Sequence, residues 1–115
     1  MTKPQRIKLE RRKGWRLQEV SKALNGLPAV KVDRSTKWGN PLRAGMWRDY
    51  TKKSAVRDFE KYINREPSVR TFENAFGAPP SKEKIREQLK GKNLACWCDL
   101  DEPCHAEILL EIANT

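Results

Sequence analysis

A short apolar run, Asn93-Leu94-Ala95-Cys96-Trp97-Cys98, lies between Gly91-Lys92 and Asp99. Its length and its polar boundaries predict a buried strand. The chain continues with Asp101-Glu102-Pro103, and a proline and acidic residues at this place predict a helix over residues 104–113. The C-terminal part therefore consists of a strand followed by a helix.

Hydrophobic periodicity predicts the remaining elements. Apolar residues recur at helical spacing in three segments, and in a fourth segment, residues 29–33, they alternate with a polar residue. These patterns predict a helix over residues 17–25, a strand over 29–33, a helix from residue 51 or 54 that ends before residue 67, and a helix over 81–90. This order of strands and helices predicts an α/β fold with a short, mostly parallel sheet and flanking helices.

The length and charge of the chain predict one domain with a basic end. A chain of 115 residues has room for one hydrophobic core, because two smaller cores would not be stable. The formal net charge is +9, and residues 1–16 hold seven basic residues and one acidic residue, a net +6. We therefore predict a basic flexible arm over residues 1–14 and a single α/β domain over 15–115. The arm serves either to contact nucleic acid or as a solubilising tail.

The cysteine pattern and the lack of long apolar runs bear on location. The sequence has no run of about 18 apolar residues, and its first residues lack the apolar core of a secretory signal. Its three cysteines lie within nine residues of one another, beside the single histidine, which differs from a secreted disulfide framework. We expect a cytoplasmic protein with no membrane partner, whose cysteines are thiols or metal ligands.

The most informative cluster contains Cys96, Cys98, Cys104 and His105. Cys96 and Cys98 are two residues apart on a strand, so their side chains share one face, and a short loop returns the chain to Cys104 and His105. Three thiols and an imidazole are a ligand set for tetrahedral zinc. Adjacent residues on a helix diverge by about 100°, so both Cys104 and His105 reach one metal only if Cys104 is not helical.

Two other interpretations of this cluster stay open. The end of a strand followed by the start of a helix is where open α/β sheets bind ligands, so His105 is a candidate acid or base and Cys96, Cys98 and Cys104 are candidate thiolates in a pocket. Alternatively, the cysteines behave as small buried hydrophobes and the histidine caps the helix. Zinc and no cofactor at all are both consistent with these residues.

A second cluster follows the first predicted strand. Its candidate ligand-binding residues are Arg34, Lys37, Trp38, Gly39 and Asn40. Arginine and lysine bind phosphate, a tryptophan face stacks on a base, and a Gly-Asn turn presents backbone amides. We expect Gly39 to adopt a backbone conformation that other residues tolerate poorly. The alternative is an ordered turn in which Trp38 packs into the core.

These motifs together resemble the signature of domain of unknown function family 4326, which comprises small proteins of bacteria, archaea and phages. The resembling segments are Gly14-Trp15-Arg16, Arg34 with Lys37-Trp38-Gly39-Asn40-Pro41, residues 91–98, and Cys104-His105-Ala106. The resemblance spans nearly the whole chain. It implies that the clusters act together, and it assigns no activity.

We expect residues 34–40 and 96–105 to face one cavity, because both follow strands and parallel strands end at the same edge of a sheet. The expected function is binding of a nucleotide, a modified base or a nucleic-acid end. Whether a nucleotide or glycosidic-bond reaction follows, with His105 as general acid or base and a cysteine thiolate, is left open. The alternatives are a non-catalytic, zinc-stabilised nucleic-acid-binding module and a protein that acts on a partner protein.

Overall fold

A computed structural model describes residues 3–115. Within these residues the strands are β1 (Arg6–Lys8), β2 (Ala29–Lys31) and β3 (Asn93–Cys96), and the sheet order is β1-β3-β2. The central strand β3 pairs in parallel with both neighbours. All strands of this sheet therefore end at the same edge.

Helices surround the sheet, which confirms the predicted α/β fold with a parallel sheet and a single domain. In the described part of the chain they are α1 (Leu17–Asn25), α2 (Lys52–Ile63), α3 (Thr71–Phe76), α4 (Lys82–Leu89) and α5 (His105–Ala113), with a 3₁₀ turn at Pro67–Val69. The observed bounds of α1 are those predicted. Helix α2 begins after Thr51, whose hydroxyl accepts a hydrogen bond from the Ser54 amide at 3.1 Å. None of the helices in residues 3–115 is both long and apolar enough to cross a membrane.

Every residue of β3 is buried, because both faces of the sheet are covered. Leu94 packs into the larger core cluster, to which α2, α4 and α5 contribute Phe59, Leu89 and Leu109. Ala95 points to the opposite face, where it packs with Ile7 and Leu9 beneath the side chains of α1. Successive residues of β3 thus serve opposite layers of the core.

The prediction of a basic flexible arm over residues 1–14 is wrong for the segment that forms β1. Ile7 and Leu9 are buried, and the Leu9 amide donates a hydrogen bond of 2.8 Å to the Cys96 carbonyl. The apolar residues of this segment alternate with charged ones, as in a strand with one buried face. Because the net charge of the segment does not show this alternation, it gave a wrong boundary between arm and domain. Residues 1 and 2 lie outside the described residues.

The expected backbone conformation of Gly39 is also wrong, although a glycine is required there. Its φ angle lies outside the left-handed region that favours glycine. Instead the turn presses Gly39 against the preceding backbone: a Cβ atom at this position would lie 2.6 Å from Arg34 Cα and 2.7 Å from the Asp33 carbonyl oxygen. Close approach of two backbone segments, and not the φ angle, excludes a side chain.

We predict that Gly39→Ala lowers the free energy of unfolding by about 2 to 3 kcal/mol, the upper part of the usual range for overpacking, because the atoms it would meet belong to the backbone. Gly14→Ala is the control, because Gly14 has a φ of +83° and open space around its Cα. That change should cost about 1 kcal/mol for the left-handed backbone alone. Urea unfolding followed by tryptophan fluorescence measures both. Equal losses in the two variants would contradict the close-approach explanation.

Candidate functional site

A cavity of about 540 Å³ lies at the edge of the sheet where β2 and β3 end. Its lining includes Arg34 and Asn40 from the loop after β2. The end of β3 and the start of α5 contribute the four members of the cysteine and histidine cluster, Cys96, Cys98, Cys104 and His105. The expectation that the two sequence clusters face one cavity is confirmed for these residues.

The three cysteines converge at this edge. Their sulfur atoms all lie within 4.8 Å of one another, and Cys96 Sγ is 2.8 Å from Cys104 Sγ. Cys96 and Cys104 are buried, Cys98 is partly exposed, and all are free thiols. Cys104 precedes α5 with extended backbone angles, φ −148° and ψ 141°. The condition for Cys104 and His105 to point toward one place is therefore met.

His105 is held in one orientation inside the wall of the cavity. Its Nε2 atom lies 2.5 Å from the Val32 carbonyl oxygen, which only accepts hydrogen bonds, so Nε2 carries the proton. Nδ1 lies 3.7 Å from Cys104 Sγ, and the ring makes a T-shaped contact with Phe59. Burial lowers the pKa of His105, so the neutral ring offers an unprotonated Nδ1.

The thiols differ in their preference for the charged form. Hydrogen bonds from Cys104 and Cys96 lower the pKa of Cys98, and the positive charge of nearby Lys52 acts in the same direction. Hydrogen bonds to Cys104 and Cys98, together with burial, raise the pKa of Cys96. Negative charge in the cluster is therefore concentrated on Cys98, the most exposed of the sulfurs.

Cationic side chains line the same cavity. Arg34 stabilises its own loop, because its Nε and Nη2 atoms donate hydrogen bonds of 3.0 Å to the carbonyls of Asn40 and Leu42. Burial is the main cause that lowers the pKa of Arg34. Arg43 and Lys52 also contribute to the lining, and Lys52 Nζ lies 3.0 Å from a Glu102 carboxylate oxygen.

Asn40 has a structural role in addition to its place in the lining. Its side chain is buried and donates a 3.1 Å hydrogen bond to the Ala55 carbonyl, while its oxygen accepts one from the Leu42 amide. Both ends of the amide are therefore engaged within the protein. The loop after β2 is anchored to α2 through this residue.

The expected roles of Lys37 and Trp38 in the cavity require correction. Trp38 is only 5% exposed and belongs to the large core cluster, while Lys37 Nζ lies 4.8 Å from the centre of the Trp38 ring. Neither residue lines the cavity, and neither does Gly39. Burial of an indole ring stabilises the core, so the alternative interpretation of an ordered turn holds for Trp38.

The aromatic wall of the cavity is formed by Trp97, which sequence reasoning missed along with Arg43 and Lys52. Trp97 is 42% exposed, and its Nε1 donates a 2.9 Å hydrogen bond to an Asp33 carboxylate oxygen. The Arg11 guanidinium lies 4.7 Å from the centre of its ring. If the strand extended over residues 93–98, as predicted, Trp97 would point away from Cys96 and Cys98. Because β3 ends at Cys96, Trp97 is free of the strand alternation and lines the same cavity as the two cysteines.

Comparison with known proteins gives a family but no activity. The family model described as Domain of unknown function (DUF4326) matches residues 7–115. The match includes β1 from Ile7 onward, the loop after β2 and the cysteine cluster. No curated protein and no solved structure matches the chain.

Proposed function

We propose that this chain, which belongs to the family described as Domain of unknown function (DUF4326), binds a phosphorylated nucleotide in the cavity at the edge of its sheet. The observation that carries the proposal is the composition of the lining. The cations of Arg34, Arg43 and Lys52 and the half-exposed indole of Trp97 surround one space of about 540 Å³. Typical small-molecule sites have volumes of roughly 300 to 1,000 Å³.

The charges of the lining favour an anion. Burial opposes ionisation of Asp33, but hydrogen bonds from Ser35 and Trp97 outweigh it and lower the pKa of the carboxyl group. The carboxylate is therefore ionised, with its oxygens occupied by these donors. Among the lining residues, the cations of Arg34, Arg43 and Lys52 outnumber the negative charges of Asp33 and a Cys98 thiolate, while Glu102 pairs with Lys52 from outside the lining. Guanidinium groups suit phosphate because they donate paired hydrogen bonds.

The aromatic wall supports a ligand with a base and not a bare phosphate. The hydrogen bond to Asp33 fixes the indole of Trp97 at the cavity, which lowers the entropy cost of stacking on it. Stacking of a base on an aromatic side chain contributes about 1 to 3 kcal/mol. Phosphate at the cations and a base at Trp97 together describe a nucleotide.

A nucleic-acid end is a second candidate ligand, favoured by one contact. Arg11 lies over the Trp97 ring, so the basic segment after β1 is next to the aromatic residue of the cavity wall. That segment continues with Arg12 and Lys13, which are exposed. A terminal nucleotide in the cavity would then place its neighbouring phosphates near these side chains, and counterion release would add affinity.

The charge of Arg43 provides the direct test of phosphate binding. We expect Arg43→Gln to weaken binding of a nucleoside triphosphate about tenfold to a hundredfold, the loss of one charge-assisted hydrogen bond. Arg48→Gln is the matched control, because Arg48 is exposed in the same loop and does not line the cavity. Isothermal titration calorimetry measures both affinities. Equal weakening in both variants, or no binding by the natural chain to any nucleoside phosphate, would refute the proposal.

Trp97 provides the test of base recognition. We expect Trp97→Leu to weaken binding of a nucleoside monophosphate about tenfold and to leave the weaker binding of ribose 5-phosphate unchanged, because only the nucleotide has a base to stack. Trp47→Leu is the control, since Trp47 is 48% exposed and lies outside the lining. Equal weakening of both ligands by Trp97→Leu would mean that the residue does not contact a base.

The dependence of binding on salt separates a free nucleotide from a nucleic-acid end. Substituting Arg11, Arg12 and Lys13 by Gln should make the slope of log affinity against log salt for a single-stranded oligonucleotide less steep by about 2. The control carries Gln at Lys82, Lys84 and Arg86, which are exposed on α4. Fluorescence anisotropy at several salt concentrations gives the slopes. An unchanged slope would restrict the ligand to a free nucleotide.

A further inference from the structure

We propose that Cys96, Cys98 and Cys104 bind one thiophilic divalent metal ion of the Zn²⁺ class, with a fourth coordination position open to the cavity. The basis is that the three sulfur atoms lie within 4.8 Å of one another and none is in a disulfide. A tetrahedral ion with Zn–S bonds of about 2.3 Å holds its sulfurs roughly 3.8 Å apart. The cluster has this scale, and metal binding would lengthen the 2.8 Å separation of the Cys96 and Cys104 sulfurs by about 1 Å.

Two of the three ligands lie at the ends of rigid elements of the fold. Cys96 is the last residue of the central strand, and Cys104 is the residue immediately before α5. A backbone amide at the start of a helix stabilises a thiolate, as a metal ligand must be. Sites with ligands on strands and helices keep their geometry better than sites on loops.

The loop between Cys98 and Cys104 is fixed by β1. Arg6 Nη2 donates hydrogen bonds of 3.1 and 2.6 Å to the carbonyls of Asp99 and Leu100. Lys8 forms an ion pair with the Asp99 side chain. These contacts restrict the movement of the loop and therefore the distance between Cys98 and Cys104. The edge strand that looked like part of an arm keeps the thiols together.

The surroundings suit an anionic metal centre. Three thiolates and one divalent ion carry a net charge of −1, and the cavity supplies Arg34 and Lys52 nearby. Cysteines that served only as small hydrophobes would be enclosed by apolar side chains. Here Cys98 is partly exposed to a cationic space, which agrees with a ligand better than with a core residue.

His105 lies beside the site without completing it. Nδ1 is 3.7 Å from Cys104 Sγ, but the histidine is outside the set of ligand atoms that lie within 4.8 Å of one another. Its Nε2 hydrogen bond to the Val32 carbonyl and its contact with Phe59 oppose rotation of the ring. Metal centres with three protein ligands leave a position for water or substrate. The cavity is where that position opens.

Metal analysis of the purified full chain tests the proposal without any organic ligand. Protein prepared from zinc-supplemented cells without chelator should contain about one zinc per chain, as a single tetrahedral site requires. Replacement by Co²⁺ should give thiolate-to-cobalt charge transfer and the intense visible bands of tetrahedral coordination. A folded natural chain that retains no zinc, and whose Co²⁺ spectrum is that of the hydrated ion, would overturn the proposal.

Variants locate the ligands. Cys98→Ser should weaken Co²⁺ binding by more than about a hundredfold, because even residues that only support metal ligands reduce affinity by about tenfold to a hundredfold. Cys98 is chosen because it is the most exposed of the thiols. If this variant does not fold, the Co²⁺ spectrum of the natural chain still decides, because thiolate charge transfer appears only if cysteines bind the ion.

His105→Gln tests the open position. We expect this variant to retain the metal, and we expect added imidazole to shift the visible bands of the natural Co²⁺ protein by occupying the fourth position. Folding of the variant is checked by circular dichroism. A folded His105→Gln protein that has lost the metal would overturn the open position and make the histidine a ligand. Insensitivity of the natural Co²⁺ spectrum to imidazole would also contradict it.

Discussion

The parallel pairing of β3 with both neighbours is the constraint on which the rest of the structure depends. Lys8 lies opposite Cys96 and Lys31 opposite Ala95, so the strands finish together at one edge of the sheet. The loop after β2 and the segment after β3 must then share that edge, as in other open α/β sheets. The cavity exists because these segments diverge toward α2 and α5 once the strands end. Antiparallel pairing would have placed the two clusters on opposite edges.

Arg6 shows how the edge strand contributes to a site that it does not line. Its side chain is almost fully buried, and its hydrogen bonds to the carbonyls of residues 99 and 100 hold the loop that returns the chain to Cys104. A buried guanidinium is costly unless its donors are satisfied. Nη1 is buried without a hydrogen-bond partner within the described residues. The burial of this unpaired donor destabilises the fold, whereas the hydrogen bonds of Nη2 hold the loop in place.

Local patterns in the sequence predicted the elements well, and they failed where tertiary contacts decide. The bounds of α1 follow from periodicity, which is visible in a single segment, whereas β1 was missed because its charged residues outweighed its few apolar positions. Which tryptophan is buried depends on packing between segments: Trp38 enters the core and Trp97 the cavity wall. Gly39 is needed because the backbone at Arg34 passes close to it, a contact that no local pattern reveals.

The two halves of the site come from different parts of the chain and are joined by two hydrogen bonds. Trp97 donates to Asp33, and His105 donates to the Val32 carbonyl, so the thiol side and the cationic side cannot move independently. A ligand that touches both sides would lie beside a metal ion held by the thiols, so we expect binding of one to change the affinity for the other. Thermodynamic linkage then requires reciprocity: whatever factor the metal adds to ligand affinity, the ligand adds to metal affinity. The two proposed sites would therefore be energetically coupled at the sheet edge, where Arg34 and Lys52 face both.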